Sequence, residues 1–203
     1  MLTMQRQSLA LMACLLLPGW AAAQESTTRG LNLGLHLAAA SLSVEGGDQN
    51  AGGGGGIRIG YGVNRIVNLF FELDGATIDV TNAGGSVTGR WALAHGDLGV
   101  RFHFANSLRS FVPYLEAALS GRAVSITDAA FNQQDAGTVS FSGGSFPVGG
   151  GISVYLQRTL ALDFGLKLSG GKFTQVDVGN LSLSGLDIDA TSSRLNIGLV
   201  WWP

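Results

Sequence analysis

Eight stretches of this chain alternate apolar and polar residues, and the connections between them alternate between short and long. Alternation with a period of two indicates a β-strand with two chemically different faces. The clearest stretch is 160–169, where Leu or Phe occupies every second position. Alternating connection lengths are typical of an up-and-down meander with tight turns at one end and long loops at the other. The sequence therefore predicts an all-β chain, folded as an eight-stranded antiparallel up-and-down transmembrane β-barrel.

The two faces of the predicted strands differ in a way that favours a membrane barrel over a soluble one. One face is almost entirely Leu, Ile, Val and Phe, whereas the other carries Gly, Ala, Ser, Asn and scattered charges. A soluble barrel would present a charged exterior, yet charged residues make up only 13% of this chain. We expect the apolar face to contact lipid. On 160–169 this places Phe164 toward lipid and Gly165 toward the lumen, so Phe164→Arg should harm assembly and Gly165→Ser should be milder.

The long connections are predicted to form loops at one end of the barrel. The first contains the glycine run 52–56, which we interpret as a mobile loop tip. The others span roughly 76–90, 123–145 and 170–192. Further alternation within the last two, with slipped parity, indicates that those strands can continue beyond the membrane as hairpins after a bulge.

The first 23 residues predict a secretory signal peptide. Arg6 precedes the apolar run 9–17, and three alanines end at Ala23, the predicted cleavage position. The run is too short to cross a bilayer as a helix. Cys14 lies in the middle of this run, which disfavours the alternative of a lipoprotein cleavage site. We therefore divide the chain into a signal peptide, residues 1–23, and a barrel domain, residues 24–203, which has no cysteine.

Ten charged residues fall on the inward face, five basic and five acidic. A charge in a narrow lumen is costly unless it is paired and hydrogen-bonded. Equal numbers predict mutual pairing that plugs the interior, and the alternative is a polar pathway that opens when pairs exchange. The predicted lumen charge network comprises Arg58, Glu72, Asp74, Asp97, Arg101, Glu116, Arg122, Asp163, Lys167 and Arg194.

Catalytic, cofactor and metal sites have little support in the sequence, and we expect none. The three histidines, His36, His95 and His103, fall on the inward face, where we interpret them as members of a packed network. The glycine run lacks the lysine and the following helix of a phosphate loop. Nucleic-acid binding is not expected, because the chain has no basic patch.

Two groups of residues indicate how the barrel is oriented. Aromatic residues gather near the short turns, which is typical of an interfacial girdle. They are Tyr61, Phe70, Phe71, Phe102, Phe104, Phe111, Trp201 and Trp202. Acidic residues gather in the predicted long loops, which we expect to face outward. They are Glu45, Asp48, Asp79, Asp128, Asp135, Asp177, Asp187 and Asp189.

Two segments resemble eight-stranded outer-membrane barrels of the OmpA, OmpX and OmpW type. Residues 111–119, FVPYLEAAL, resemble the proline–tyrosine strand start of such barrels, and residues 194–202 resemble their C-terminal assembly signal, here followed by Pro203. The resemblance implies a bacterial outer-membrane location and contact with outer-membrane lipid and lipopolysaccharide. It also implies insertion by the barrel-assembly machinery and a monomeric state.

Three functions remain open on the sequence. The first is a non-enzymatic outer-membrane barrel with a charge-paired lumen and long extracellular loops, with a role in membrane integrity or surface interaction. The second is a small channel for apolar or small polar solutes, whose conductance should change when Asp97 or Arg101 is neutralised. The third is a lipid A-modifying enzyme. Deacylases of that kind show a His-x-Ser pattern, which none of the three histidines matches.

Overall fold

The chain forms a closed antiparallel β-barrel in a computed structural model that describes residues 28–44, 50–78, 87–104, 110–131, 134–179 and 181–203. The strands are β1 (Gly30–Val44), β2 (Asn50–Gly62), β3 (Val67–Ile78), β4 (Val87–His103), β5 (Phe111–Phe131), β6 (Gln134–Gln157), β7 (Leu160–Val178) and β8 (Leu181–Trp201). Each strand pairs with the next, and β8 closes the ring against β1. The predicted fold class is confirmed. The predicted signal peptide lies outside the described residues.

Side-chain exposure alternates along the strands, in agreement with the apolar and polar faces predicted from the sequence. On β1, Leu35 and Leu37 are 65% and 76% exposed, whereas Asn32 is buried. On β7, Leu166 and Leu168 are exposed and Lys167 between them is buried. The apolar side chains therefore point outward, and the predicted face assignment is confirmed. No helix in the described part of the chain is long and apolar enough to span a bilayer.

The wall of the barrel is taller on one side than on the other. The strands β1, β2 and β3 contain 15, 13 and 12 residues, whereas β5, β6 and β8 contain 21, 24 and 21. Most of residues 123–145 and 170–192 belongs to these long strands, so the third and fourth predicted loops are wrong as loops. The predicted continuation of these strands as hairpins is confirmed, and bulges shift the register within both segments, in keeping with the slipped parity of the alternation. We call residues 123–145 and 170–189 the outer sheet.

The glycine run also lies in a strand, and its interpretation as a mobile loop tip is wrong. Residues 52–56 belong to β2 and pair with both β1 and β3. A Cβ atom on Gly54 would lie 1.9 Å from the carbonyl oxygen of Gly75, and one on Gly52 would lie 1.8 Å from that of Thr77. The backbones approach so closely here that the inward positions need glycine.

Two apolar clusters lie inside the barrel, one at each end of a polar layer. The inner apolar cluster, at the end with the short turns, comprises Val112, Tyr155, Ala161, Val200 and Trp202. The outer apolar cluster comprises Ala40, Leu42, Ile78, Leu93, Val124, Phe173 and Ala190, with Ile126 and Val139 beyond them. The outer cluster is built largely from strand segments that the sequence analysis assigned to loops.

Most of the predicted aromatic girdle lies on the outer surface, but two members do not. Phe70 and Trp202 are buried in the interior. Their chain neighbours Phe71 and Trp201 face outward and are 44% and 49% exposed. Because adjacent residues of a strand point to opposite faces, one residue of each aromatic pair must point into the lumen.

Candidate functional site

Nine of the ten predicted lumen charges form one connected group of ion pairs between the two apolar clusters. The alternation of each strand turns these side chains inward, and the antiparallel register sets their height in the barrel. They come from β2, β3, β4, β5, β7 and β8. The members are Arg58, Glu72, Asp74, Asp97, Arg101, Glu116, Asp163, Lys167 and Arg194.

Glu116 joins two guanidinium groups near the centre of the layer. Its carboxylate accepts hydrogen bonds from Nη1 and Nη2 of Arg58 at 3.2 and 3.3 Å. It also accepts one from Nε of Arg101 at 2.8 Å. Arg58 donates in addition to Glu72 from Nε at 2.5 Å, and its guanidinium lies 4.2 Å from the ring centroid of Phe70. Phe70 thus makes a cation–π contact with the Arg58 guanidinium.

Asp163 lies on the inner side of the layer and accepts four hydrogen bonds. Arg101 donates two, Tyr114 donates from its hydroxyl at 2.9 Å, and Ser153 donates at 2.6 Å. The Arg101 guanidinium also stacks 3.5 Å from the Tyr114 ring centroid. Sequence reasoning missed Tyr114 and Ser153 as partners, although both lie on the inward face of their strands.

Lys167 and Arg194 hold the outer side of the layer. Lys167 donates to Glu72 and, at 3.3 Å, to Asp97. Arg194 donates to Asp74 and, at 2.7 Å, to Oδ2 of Asp97. These bonds cross from β7 and β8 to β3 and β4, so the charges brace the barrel through its interior.

Arg122 is the predicted lumen charge that stands apart. Its Nη2 donates to the carbonyl oxygen of Ala190 at 2.9 Å, and its guanidinium lies 4.6 Å from the ring centroid of Phe173. Its Nε and Nη1 have no hydrogen-bond partner among the described residues, and neither has Oδ1 of Asp97. The connected group therefore contains five carboxylates and four basic side chains.

The three histidines are all inside the barrel. His36 contacts Asp74 through Nε2. His95 lies 3.5 Å from the hydroxyl of Ser192, which is 2.6 Å from that of Ser169. His103 packs edge-on against the rings of Tyr114 and Trp202, at centroid distances of 6.2 and 6.4 Å.

One group of side chains in the described part of the chain has the spacing of a metal site. Ligand atoms of His36, Glu72 and Asp74 lie within 4.8 Å of one another. Both carboxylates are already engaged, Glu72 by Arg58 and Lys167 and Asp74 by Arg194. A metal ion here would have to compete with these cations, so the geometry favours the ion pairs.

Little open space remains in the polar layer. A cavity of about 20 Å³ lies among side chains that include Arg58, Arg101, Glu116, Asp163 and Lys167. Such a volume holds roughly one water molecule. Around this cavity the layer is a packed set of ion pairs.

The barrel is similar to solved structures of outer-membrane proteins. Neisserial surface protein A has a TM-score of 0.62 at 18% identity, covering 85% of this chain and 96% of that chain. Ail, the attachment invasion locus protein of Yersinia pestis, has a TM-score of 0.54 at 12% identity, covering 86% and 100%. OprG of Pseudomonas aeruginosa has a TM-score of 0.51 at 11% identity, covering 89% and 97%. At these identities the likeness shows the fold.

No curated protein sequence matches the chain. A family model described as the outer membrane protein beta-barrel domain matches residues 8–200, which is nearly the whole sequence. The chain therefore belongs to the outer membrane protein beta-barrel domain family and is a protein of the bacterial outer membrane.

Proposed function

We propose that this protein is a non-enzymatic, monomeric barrel with a sealed, charge-paired lumen, which carries a surface-contact sheet outside the outer membrane. The observation that carries the proposal is the order of layers in the lumen: an apolar cluster, a packed layer of ion pairs, and a second apolar cluster. The outward-facing apolar side chains of the strands contact outer-membrane lipid and lipopolysaccharide. The barrel-assembly machinery inserts the chain.

The layers argue against free passage through the barrel. An ion that enters the polar layer must separate buried pairs such as Arg194 and Asp97, which lie 2.7 Å apart. It must also lose its hydration shell to cross two apolar clusters, which offer no polar groups in place of the water. An eight-stranded barrel has an interior just wide enough for side chains to fill. These features support a structural role for the lumen and a role of the protein at its outer surface.

The outer sheet supports the surface-contact part of the proposal. A strand needs roughly 9–11 residues to cross a bilayer, and β5 has 21 and β6 has 24. The sheet also exposes apolar side chains, with Leu181 and Leu183 71% and 62% exposed. Apolar side chains exposed beyond the membrane are typical of interaction sites.

Single-channel recording in planar bilayers tests the sealed lumen. The refolded protein is added to the bilayer, and a heat-dependent gel shift verifies separately that it has folded and inserted. We expect inserted protein to give no stepwise openings, while a porin in the same bilayer conducts. Stepwise openings by the inserted protein would overturn the sealed-lumen proposal.

Attachment of cells tests the role of the outer sheet. A variant in which residues 176–183 are replaced by an Asn-Gly turn shortens the β7–β8 hairpin and leaves the membrane-spanning segments unchanged. Cells that express this variant should attach less to host-cell surfaces than cells that express the full chain at the same level. Equal attachment by the two would count against surface contact through this hairpin.

A small channel is the second candidate, and one observation favours it. Oδ1 of Asp97 and two nitrogens of Arg122 are buried with no hydrogen-bond partner among the residues that the structure describes, and they lie on neighbouring strands of the barrel. If Asp97 exchanged its present partners for Arg122, the ion pairs of the polar layer would rearrange. The channel predicts a measurable conductance that changes in Asp97→Asn or Arg101→Gln, and an unchanged conductance in both variants would count against it.

The non-enzymatic part of the proposal has its own test. His95 and Ser192, whose side chains lie 3.5 Å apart, are buried inside the lumen and not on the lipid-facing surface. We expect overexpression to leave the mass spectrum of lipid A unchanged. A new lipid A species that disappears in Ser192→Ala would overturn this part.

A further inference from the structure

The outer wall of the barrel carries a groove that crosses four neighbouring strands, β1, β8, β7 and β6. Its volume is about 550 Å³, which is typical of sites for small molecules. Gly170 lies within it, and a Cβ atom on this residue would meet no neighbour within 4 Å. The missing side chain leaves the depression open. We call it the wall groove.

The two sides of the wall groove differ in chemistry. The side toward β6 is formed by exposed apolar side chains, and these are Phe146, Val148 and Leu168. The side toward β1 is formed by hydroxyl side chains, and these are Ser41, Ser43, Thr191 and Ser193. The Oγ atoms of Ser41 and Ser193 lie 2.7 Å apart across the pairing of β1 with β8. The groove therefore offers an apolar surface and a hydrogen-bonding surface side by side.

The wall groove lies where the apolar outer surface of the barrel ends. On β8, the outward side chains are apolar from Trp201 to Leu195. The next two outward side chains, Ser193 and Thr191, carry hydroxyls, and Asp189 follows them. Strand β1 changes from apolar to hydroxyl side chains at the paired positions. The groove thus spans the boundary between the surface that contacts lipid tails and the charged surface outside the membrane.

We propose that the wall groove binds a membrane glycolipid, with the saccharide headgroup on the hydroxyl side chains and the alkyl chain on the apolar side. This inference rests on the lipid contact in the proposed function and gives that contact a position on the barrel. Because the groove is continuous with the apolar surface below it, a molecule of the membrane enters it from the side. Burial of Phe146, Val148 and Leu168 against an alkyl chain would favour binding.

The charges next to the groove favour a saccharide over a phosphate as the group that is recognised. Lys172, the outward residue that follows Gly170 on β7, forms ion pairs with both Asp187 and Asp189. A phosphate here would therefore meet two carboxylates for each amine, and like charges repel. Saccharide hydroxyls donate to carboxylates and also exchange hydrogen bonds with serine and threonine hydroxyls. The headgroup that matches this boundary is rich in hydroxyls.

Two amphiphiles with the same alkyl chain test the proposal with the full-length barrel in nanodiscs of dimyristoylphosphatidylcholine. One is dodecyl maltoside, which has a saccharide headgroup, and the other is dodecylphosphocholine. Each is added in amounts well below those that dissolve the nanodisc, and amide NMR shifts report binding. We expect dodecyl maltoside to give saturable shifts, largest at residues 41–43, 168–170 and 191–193. Dodecylphosphocholine should bind there at least tenfold more weakly.

A pair of tryptophan substitutions tests whether the depression itself is the site. Gly170→Trp fills the groove and should weaken the binding of dodecyl maltoside at least tenfold. Gly75→Trp places the same side chain on the outward face of β3, away from the groove, and should leave binding unchanged. A Cβ atom at either position meets no neighbour within 4 Å, so we expect both variants to fold, which the heat-dependent gel shift verifies. Equal binding by the two variants would overturn the proposal.

A second pair of substitutions tests the hydroxyl side of the groove. Thr191→Val removes a hydroxyl and keeps the shape of the side chain, so it should lower the preference for dodecyl maltoside at least threefold. Thr77→Val makes the same change at an exposed position of β3 and should leave the preference unchanged. An equal effect of both variants would overturn the assignment of the headgroup to the hydroxyl side chains.

The titration also separates this inference from the proposed function. Equal affinity for the two amphiphiles, shifts that do not saturate, or shifts that lie mainly outside the groove would overturn the proposal. Any of these results, with silent bilayers and normal cell attachment, would overturn this inference alone and leave the proposed function standing. Stepwise openings in the bilayer would overturn the sealed lumen without bearing on the groove, which lies on the outer wall.

Discussion

Asp163 and Arg101 form a bidentate ion pair inside the barrel, with Nη1 3.0 Å from Oδ1 and Nη2 3.3 Å from Oδ2. The carboxylate side chain is 13% exposed and the guanidinium 4%. Arg101 also donates to Glu116, whereas the four bonds to Asp163 come from three different side chains. Asp163 is therefore the point at which β4, β5, β6 and β7 are tied together on the inner side of the polar layer.

Removal of Asp163 should destabilise the folded barrel strongly. Asp163→Ala leaves the Arg101 guanidinium and the hydroxyls of Tyr114 and Ser153 buried with lost partners. Breaking a buried pair by removing one member costs about 3–5 kcal/mol. Urea unfolding of the refolded protein in lipid vesicles, followed by tryptophan fluorescence, measures the change in the free energy of unfolding.

An exposed acidic residue provides the matched control for this prediction. Asp187 is paired with Lys172 in the outer sheet, and both side chains are at least half exposed. Such pairs contribute about 0–1 kcal/mol, so Asp187→Ala should change the free energy of unfolding little. Similar losses in Asp163→Ala and Asp187→Ala would mean that the buried network does not stabilise the barrel.

Arginine substitutions on the outward face of β7 should show where the membrane lies. Phe164 is the middle residue of the five outward apolar residues between Leu160 and Leu168. Phe164→Arg should lower the free energy of unfolding by about 2–4 kcal/mol, whereas Gly170→Arg, nearer the edge of the apolar band, should cost about 0–1 kcal/mol. A Cβ atom on Gly170 would meet no neighbour within 4 Å. Equal losses of unfolding free energy in Phe164→Arg and Gly170→Arg, measured by the same urea experiment, would contradict the assignment of Phe164 to the middle of the membrane and Gly170 to its edge.

The lumen position next to Phe164 is more crowded than its alternation pattern indicates. A Cβ atom on Gly165 would lie 2.7 Å from the hydroxyl oxygen of Tyr114, which donates to Asp163. Gly165→Ser therefore requires the Tyr114 hydroxyl to move, and Gly170, which has open space around it, is the better control. The alternation of β7 indicates that Gly165 faces the lumen, but it contains no information about the side chain that fills the space opposite.

The face of each residue could be predicted from the sequence because parity is a local property of a strand. Leu166 and Lys167 point to opposite sides as expected. The height of a residue in the barrel depends on the register between strands, which the sequence alone does not reveal. For this reason the sequence could place Arg122 in the lumen. It could not predict that Arg122 lies beside Phe173 and Ala190, away from the carboxylates.

The outer sheet was predicted only in part, for a related reason. The strand signal depends on uninterrupted alternation, and the register shifts between Ser142 and Gly143 and between Phe173 and Gln175 interrupt it. In β2, the glycine run has no side chains that could alternate, so its pairing with β1 and β3 leaves no pattern to read. The sequence analysis therefore assigned both segments to loops, although the slipped alternation in the outer sheet did indicate that those strands continue.

The glycine run offers a prediction that compares two neighbouring residues of β2. Gly54→Ala would put a Cβ atom 1.9 Å from the carbonyl oxygen of Gly75, and backbone has to shift to relieve the clash. A Cβ atom on Gly53 would lie 3.9 Å from its nearest neighbour, the carbonyl oxygen of Ala38. We expect Gly54→Ala to fold with much lower yield in the heat-dependent gel shift, and Gly53→Ala to fold like the parent chain. Equal yields would contradict the close approach of β2 and β3.

The order of the β7–β8 hairpin should depend on pH through Asp177. Hydrogen bonds from the Ser182 hydroxyl and the Gln175 amide favour the ionised carboxylate and lower the pKa of Asp177 below its usual value. Because the folded pKa is lowered, the stabilisation is complete above the ordinary aspartate pKa of about 3.9 and is lost as the pH falls through the folded value.

Amide exchange at residues 181–184 measures this effect in the β7–β8 hairpin itself. Protection factors, which correct for the intrinsic pH dependence of exchange, should fall between pH 6 and pH 2 in the parent chain. Asp177→Asn keeps the shape of the side chain but cannot ionise, so its protection should be independent of pH over the same range. Because the hydrogen-bond partners of Asp177 lie in the hairpin, the change should be confined to it, and protection in β1 and β2 should stay constant. If protection in Asp177→Asn falls with pH by the same amount as in the parent chain, another group controls the order of the β7–β8 hairpin.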